Sequence, residues 1–145
     1  MKQIPERLLN IFRRYDTPTI LNSLELLDST FRTSCFTTEQ MICADTTLPP
    51  IVGYARTATL SSSSEVDPNI KRDRSLSYYE YLSPGTTPCI SVIQDVDERP
   101  GFGAFWGEVN SNIHNALGVI GVVTNGSVRD LDALSAGFQV LAGKI

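Results

Sequence analysis

Apolar positions recur along this chain with a helical period in some stretches and run nearly unbroken in others, and the two patterns divide it into elements. Leu8, Leu9, Phe12 and Tyr15 share one face of a first helix that has Pro5 at its opening position. Asp16-Thr17-Pro18 breaks and restarts the chain, with Thr17 as the cap of a second helix whose face is Ile20, Leu21, Leu24 and Leu27. Together they form a helical pair over residues 4–28. Residues 28–50 show no clear period, and Pro49-Pro50 marks a boundary. Residues 51–60, IVGYARTATL, alternate as a strand does. The polar run 61–74 mixes charges of both signs and reads as a solvated surface loop, with a lid as the lesser alternative. A short helix is expected over 75–82, with Leu76, Tyr79 and Leu82 inward, then a turn at Ser83-Pro84-Gly85 and a strand over 89–93.

The most informative stretch is WGEVNSNIHNALGVIGVVTNGSVRD, residues 106–130. Gly107 opens a helix in which Val109, Ile113, Ala116 and Leu117 fall at i, i+4, i+7 and i+8, a stripe expected to face the core. Gly118 supplies the stop. Val119, Ile120, Val122 and Val123 then read as a strand buried on both faces. Asn125-Gly126 is expected to end it, since both residues favour turns. Leu131, Leu134 and Ala136 make a short apolar turn, Gly137 stops it, and Phe138 to Leu141 begins another strand. Helices alternating with strands predict an α/β fold. The expectation is a single domain over 1–145 with its core in 51–145.

Composition narrows the classes. A net charge of −4 argues against a general nucleic-acid binder. No apolar run is long enough to span a bilayer, and the N-terminus lacks the uninterrupted apolar core of a secretory signal. Cys35, Cys43 and Cys89 are odd in number and lack metal-ligand spacing, which favours reduced thiols and a cytoplasmic setting.

Chemistry concentrates in the same stretch. The amides of Gly107, Glu108, Val109 and Asn110 lie at a helix start, where unpaired N–H groups and the helix dipole attract a carboxylate. Arg129, just past a buried strand, offers a planar fork for gripping a carboxylate in two places. Asp130 can hold a hard divalent cation. Plainer roles exist for each: Glu108 as a dipole partner, Arg129 in a surface ion pair, Asp130 as the N-cap of the next helix. His114 lies about 120° around the helix from Glu108 and is expected to be a packed side chain without a catalytic role. Trp106 reads as a packing or oligomer-contact residue. Asp95, at a strand end, is expected to form a turn.

An acidic residue (Glu108), twenty intervening positions and then Arg129-Asp130 resembles the RraA-like family, which contains 4-hydroxy-4-methyl-2-oxoglutarate aldolases and regulators of ribonuclease activity. Gly107, Gly118-Val119, Gly121-Val122-Val123 and Gly126 to Asp130 match that family's glycine-initiated helix, strand and turn, although glutamate stands where the best-known pattern has aspartate. The resemblance implies a layered β/β/α fold of the swivelling-domain type. Relatives continue beyond the point matching Ile145, so it also implies a fold incomplete at the C-terminus, in a fragment or a shortened form. The implied activity is a metal-dependent lyase that splits 4-hydroxy-4-methyl-2-oxoglutarate-type 2-oxo acids to pyruvate and decarboxylates oxaloacetate. In that reading Glu108 and Arg129 are catalytic. Gly107, Glu108, Val109, Asn110 and Arg129 bind substrate, and Asp130 holds Mg2+ or another divalent ion such as Mn2+. The stretch contains no lysine, so a Schiff-base route is not indicated. The implied partners are the small 2-oxo acid and further copies of the chain, as a trimer or hexamer, with neither nucleic acid nor membrane. The alternatives are a non-catalytic regulator of ribonuclease activity and an inactive truncated subunit.

Overall fold

The computed structural model describes residues 3–83 and 87–145. Its centre is a run of parallel strands: β2 (Tyr54–Leu60), β3 (Cys89–Asp95), β4 (Val119–Ser127) and β5 (Gln139–Lys144). A two-residue β1 (Ile42–Cys43) pairs antiparallel with β5, giving the order β1-β5-β4-β3-β2. Parallel neighbours need crossovers. Helix α4 (Pro68–Leu82) joins β2 to β3, α5 (Glu108–Ala116) joins β3 to β4, and a 3-10 turn (Leu131–Ala133) joins β4 to β5. The C-terminal ends of β2 to β5 therefore share one edge of the sheet, where ligands bind in open α/β folds. The α/β expectation holds.

Alternation along the strands sorts side chains between the two faces. In β3, Cys89, Ser91, Ile93 and Asp95 are buried while Ile90 and Val92 are half-buried. The core joins Cys89 and Ile93 to Leu82, Trp106, Val119, Val122, Val128, Phe138, Val140 and Ala142. N-terminal to the sheet lie α1 (Glu6–Phe12), α2 (Thr17–Leu27) and α3 (Phe31–Ser34). Only Leu9 of these helices is buried, and Leu26 and Leu27 are 89% and 83% exposed. No helix among the described residues is long and apolar enough to cross a membrane.

Several local expectations are corrected. The polar run after β2 is helical from Pro68, because the Asp67 carboxylate accepts from the Asn69 and Ile70 amides and Pro68 pre-sets the first turn. Asp16, rather than Thr17, caps α2 by accepting from the Thr19 amide, and Pro5 stands one position before α1. In α4 it is Leu82 and the half-buried Tyr78 and Tyr79 that turn inward, whereas Leu76 is exposed. Asn125-Gly126 does not end β4. The strand bulges between Thr124 and Ser127, and there the Asn125 side chain takes the place of backbone pairing with β3. Its Oδ1 accepts from Asp95 N at 2.7 Å and its Nδ2 donates to Asp95 O at 2.9 Å. The Pro84-Gly85 part of the expected turn lies outside the described residues.

The stripe on α5 is also corrected. Leu117 packs against the core and Ile113 is half-buried, but Val109 is 66% exposed and Ala116 is exposed, and the fully buried positions are Ser111 and His114. Polar partners explain the reversal. Ser111 Oγ donates to Glu108 O and accepts from Ser135 N, so burying that hydroxyl leaves nothing unsatisfied.

Candidate functional site

Trp106 and Val128 form a parallel bridge beyond the named strands, and Arg129 N donates to Trp106 O at 2.9 Å. This last pairing lays Gly107 alongside Arg129-Asp130 at the C-terminal edge of the sheet. A Cβ on Gly107 would stand 2.5 Å from Asp130 Oδ2 and 3.1 Å from Arg129 Cγ. With φ −176° the backbone there is extended and any residue adopts it, so the glycine serves space and not dihedral freedom. The helix start and the basic–acidic doublet thus occupy one corner.

Asp130 has φ +55°, a left-handed conformation that Asp tolerates better than most residues. It precedes the 3-10 turn but makes no side-chain cap there. Its carboxylate turns back toward α5 instead, where Oδ2 accepts a long 3.4 Å bond from Glu108 N and lies 3.7 Å from Arg129 Nε. The Asp130 N-cap role therefore does not hold, while the Arg129 surface ion pair does, with Asp130 as its partner. Both side chains stay open to solvent, 66% exposed for Arg129 and 43% for Asp130.

Among the described residues, Val109 N and Asn110 N find no acceptor within the chain. Two amides at the positive end of α5, beside a solvent-facing guanidinium, make a cradle for an oxyanion. The Asp130 carboxylate keeps most of its lone pairs free. No group of three or more His, Cys, Asp or Glu side chains that could hold a metal occurs among the described residues. That donor set suits Mg2+, which keeps several waters and takes one or two carboxylates together with substrate oxygens, and does not suit an all-protein cage. At this corner Asp130 offers one exposed carboxylate to such an ion.

A buried polar chain stands behind the corner. His114, fully buried, donates from Nδ1 to Asn110 O at 2.6 Å and accepts at Nε2 from Tyr78 OH at 3.0 Å. Tyr78 OH in turn lies 2.8 Å from Ser91 Oγ on β3. Burial drives the His114 pKa down to about 4 and pushes the Tyr78 phenol up to about 12, so both stay neutral. Trp106 packs its ring 4.5 Å from the imidazole, a packing role as expected. Asn110 adds a brace, donating from Nδ2 to Phe105 O at 2.5 Å. His114 therefore ties α4, α5 and β3 together directly beneath the helix start. Its place on the edge of an apparent apolar stripe concealed this. Asp95 forms the expected turn, accepting from Asp97 N and Gly101 N. A cavity of about 1000 Å³ opens nearby, but none of Gly107, Arg129 or Asp130 lines it. The corner is therefore set apart by its directed backbone and carboxylate groups and not by a cavity.

Comparisons with known proteins bear on the family and the fold. A family model described as "RraA-like: Aldolase/RraA" matches residues 17–145. A comparison with curated proteins gave no match. Among solved structures, one described as "novel cellulases from microbes associated with the gut ecosystem" aligns with TM-score 0.68 at 16% identity over 99% of this chain and 61% of its own. RraAS2 of Streptomyces coelicolor, described as an unusual member of the RNase ES inhibitor RraA protein family, aligns with TM-score 0.64 at 18% identity over 99% of this chain and 65% of its own. At such identities the likeness is one of fold. The chain spans less than two-thirds of the length of either structure.

Proposed function

This chain belongs to the RraA-like family, and from that premise we propose that the corner at Gly107, Glu108, Arg129 and Asp130 is the site of a divalent-metal-dependent lyase. Its substrates are 4-hydroxy-4-methyl-2-oxoglutarate-type 2-oxo acids, cleaved to pyruvate, with oxaloacetate decarboxylation as a side activity. The observation that carries the reading is the contact of Gly107 with both Arg129 and Asp130.

Both reactions break the C3–C4 bond of a 2-oxo acid and leave its electron pair on C3, as the enolate of pyruvate. The charge that develops on the 2-oxo oxygen and the adjoining carboxylate is the main barrier to lower. Arg129 would grip the carboxylate with its fork and fix the scissile bond. The Val109 and Asn110 amides would receive a second oxygen, already oriented by the helix and needing no reorganisation. Gly107 leaves room for the Asp130 and Arg129 side chains to lie against the helix start beside them. Glu108, exposed at the mouth, would take the 4-hydroxyl proton in the aldol cleavage and return a proton to C3, directly or through water. A Mg2+ or Mn2+ ion held by Asp130 would supply Lewis acidity at the 2-oxo oxygen when bound.

The test is pyruvate release from oxaloacetate by the purified chain with magnesium, followed through a coupled dehydrogenase. Release above the metal-only control supports the reading, and release equal to that control counts against it. We extend the proposal to a trimer or hexamer, supported by the outward-facing Val109 on α5 and by exposed Leu26 and Leu27 on α2. A monomer in sedimentation would reject that extension. The same exposed apolar residues favour the second reading, a non-catalytic, protein-binding regulator of ribonuclease activity.

A further inference from the structure

We propose that the cavity beneath the N-terminal half of α4 is a second ligand site, for an organic anion carried on a flat apolar body, such as an aryl carboxylate or aryl sulfonate. It is separate from the corner described above, since none of Gly107, Arg129 and Asp130 lines it.

The helix face that closes the cavity has an unusual composition. Lys71, Arg74, Ser75, Tyr78 and Tyr79 all line it and follow one another at helical spacing, so they share one side of α4. A helix laid on a sheet ordinarily turns a continuous apolar stripe inward. Here the stripe is apolar only from Tyr78 onward, where Leu82 is buried in the core. The first half instead carries two exposed cations, Lys71 and Arg74, at the cavity's mouth. Beneath them the walls are apolar: Ala58 and Leu60 from β2, Ile93 from β3, and Phe105 from the loop before α5. Positive groups therefore stand over an apolar floor, with about 1000 Å³ between.

Neither cation is neutralised from within. Among the described residues no carboxylate lies within salt-bridge distance of Lys71 or Arg74. Glu65 also lines the cavity, so its charged groups sum to a single positive charge. A monoanion balances that charge, and an aromatic body covers the floor between Tyr78, Tyr79 and Phe105.

The rim is built in advance. Asp97, buried and not among the lining residues, accepts from Ser61 Oγ at 2.5 Å, Ser62 N at 2.8 Å and Ser63 Oγ at 2.8 Å. That clasp fixes the loop after β2 as one wall and presents Ser62 and Ser64 to the interior. A preformed wall lowers the ordering cost of binding.

The experiment titrates the full chain with anilinonaphthalene sulfonate, an aryl sulfonate with a fluorescent body, beside phenylnaphthylamine, its uncharged analogue. Arg74→Glu and Lys71→Glu each change an exposed helix position and leave the fold intact. Each is expected to weaken sulfonate binding by about tenfold or more through loss of a charge-assisted contact, and to leave the weaker binding of the amine unchanged. Amide shifts on titration are expected around Ser75 and Phe105. Sulfonate binding unaltered in both variants, amine binding as tight as the sulfonate, or shifts confined to the exposed apolar residues Leu26, Leu27 and Phe36 would each overturn the proposal.

Discussion

Gly107 and Asp130 meet so closely that the glycine has no room for a methyl group: a Cβ there would lie 2.5 Å from Asp130 Oδ2. The backbone at Gly107 is extended, so alanine meets no dihedral penalty, and the nearest atom it would displace, Asp130 Oδ2, is the end of a flexible side chain. Gly107→Ala should therefore cost about 1 kcal/mol of stability or less while pushing Asp130 and Arg129 out of place. Pyruvate release is expected to fall by about tenfold or more, because small misplacements of orienting groups are costly. Denaturant melts beside turnover check this. A variant with unaltered turnover would show that the contact is incidental.

Arg129→Lys keeps the charge but loses the planar, two-pronged grip. Loss of about a hundredfold in turnover is expected, the usual scale for removing one oriented donor from a developing oxyanion. Near wild-type turnover would remove Arg129 from the mechanism.

For Asp130 the informative change is to asparagine. Alanine at φ +55° would add backbone strain of about 1–2 kcal/mol, whereas asparagine tolerates that conformation and removes only the charge. Asp130→Asn should weaken magnesium binding in titration calorimetry by about tenfold or more, with the unfolding midpoint nearly unchanged. Unchanged magnesium affinity would reassign the metal.

His114 makes stability depend on pH. Burial holds its folded pKa near 4, below the ordinary 6.5, so the folded chain refuses a proton that the unfolded chain accepts. This contribution is complete above about 6.5, falls as pH drops through the window from 6.5 to 4, and is flat below. The loss across that window is up to about 3 kcal/mol. The hydrogen bonds that depress Asp97 to about 2 act in a lower, separate window, below 3.8. Urea melts between pH 4.5 and 7 should show the loss in the wild type and a much shallower slope in His114→Gln. Equal slopes would contradict the assignment.

The sequence made the corner legible because its parts are local and punctuated. Gly107 and Gly118 bracket a helix, a β-branched run follows, and the doublet comes directly after, so one helix–strand passage fixes their relation. Long-range chemistry was not legible. Val109 and Ala116 looked inward because periodicity records apolar character but not which polar side chains find buried partners. Ser111 and His114 take the interior only because Ser135, Tyr78 and Asn110 satisfy them. Asn125-Gly126 has turn chemistry, but β4 runs on through it, with a bulge against β5 and the Asn125 side chain bonded to the Asp95 backbone on β3. The start of α4 was hidden by its charges: Lys71 and Arg74 sit where a packed helix would carry apolar side chains. That exception to the pattern is also what gives the cavity beneath α4 its positive mouth.

The claim on which the account turns is that this corner stabilises the enolate of pyruvate. Exchange of the pyruvate methyl protons for deuterium, followed by proton NMR in heavy water with magnesium, reads that step alone and needs no knowledge of the natural 2-oxo acid. Exchange faster than the magnesium-and-buffer rate with the wild-type chain, and at that background rate with Arg129→Lys, is the predicted result. Exchange at the background rate for the folded wild-type chain would contradict it.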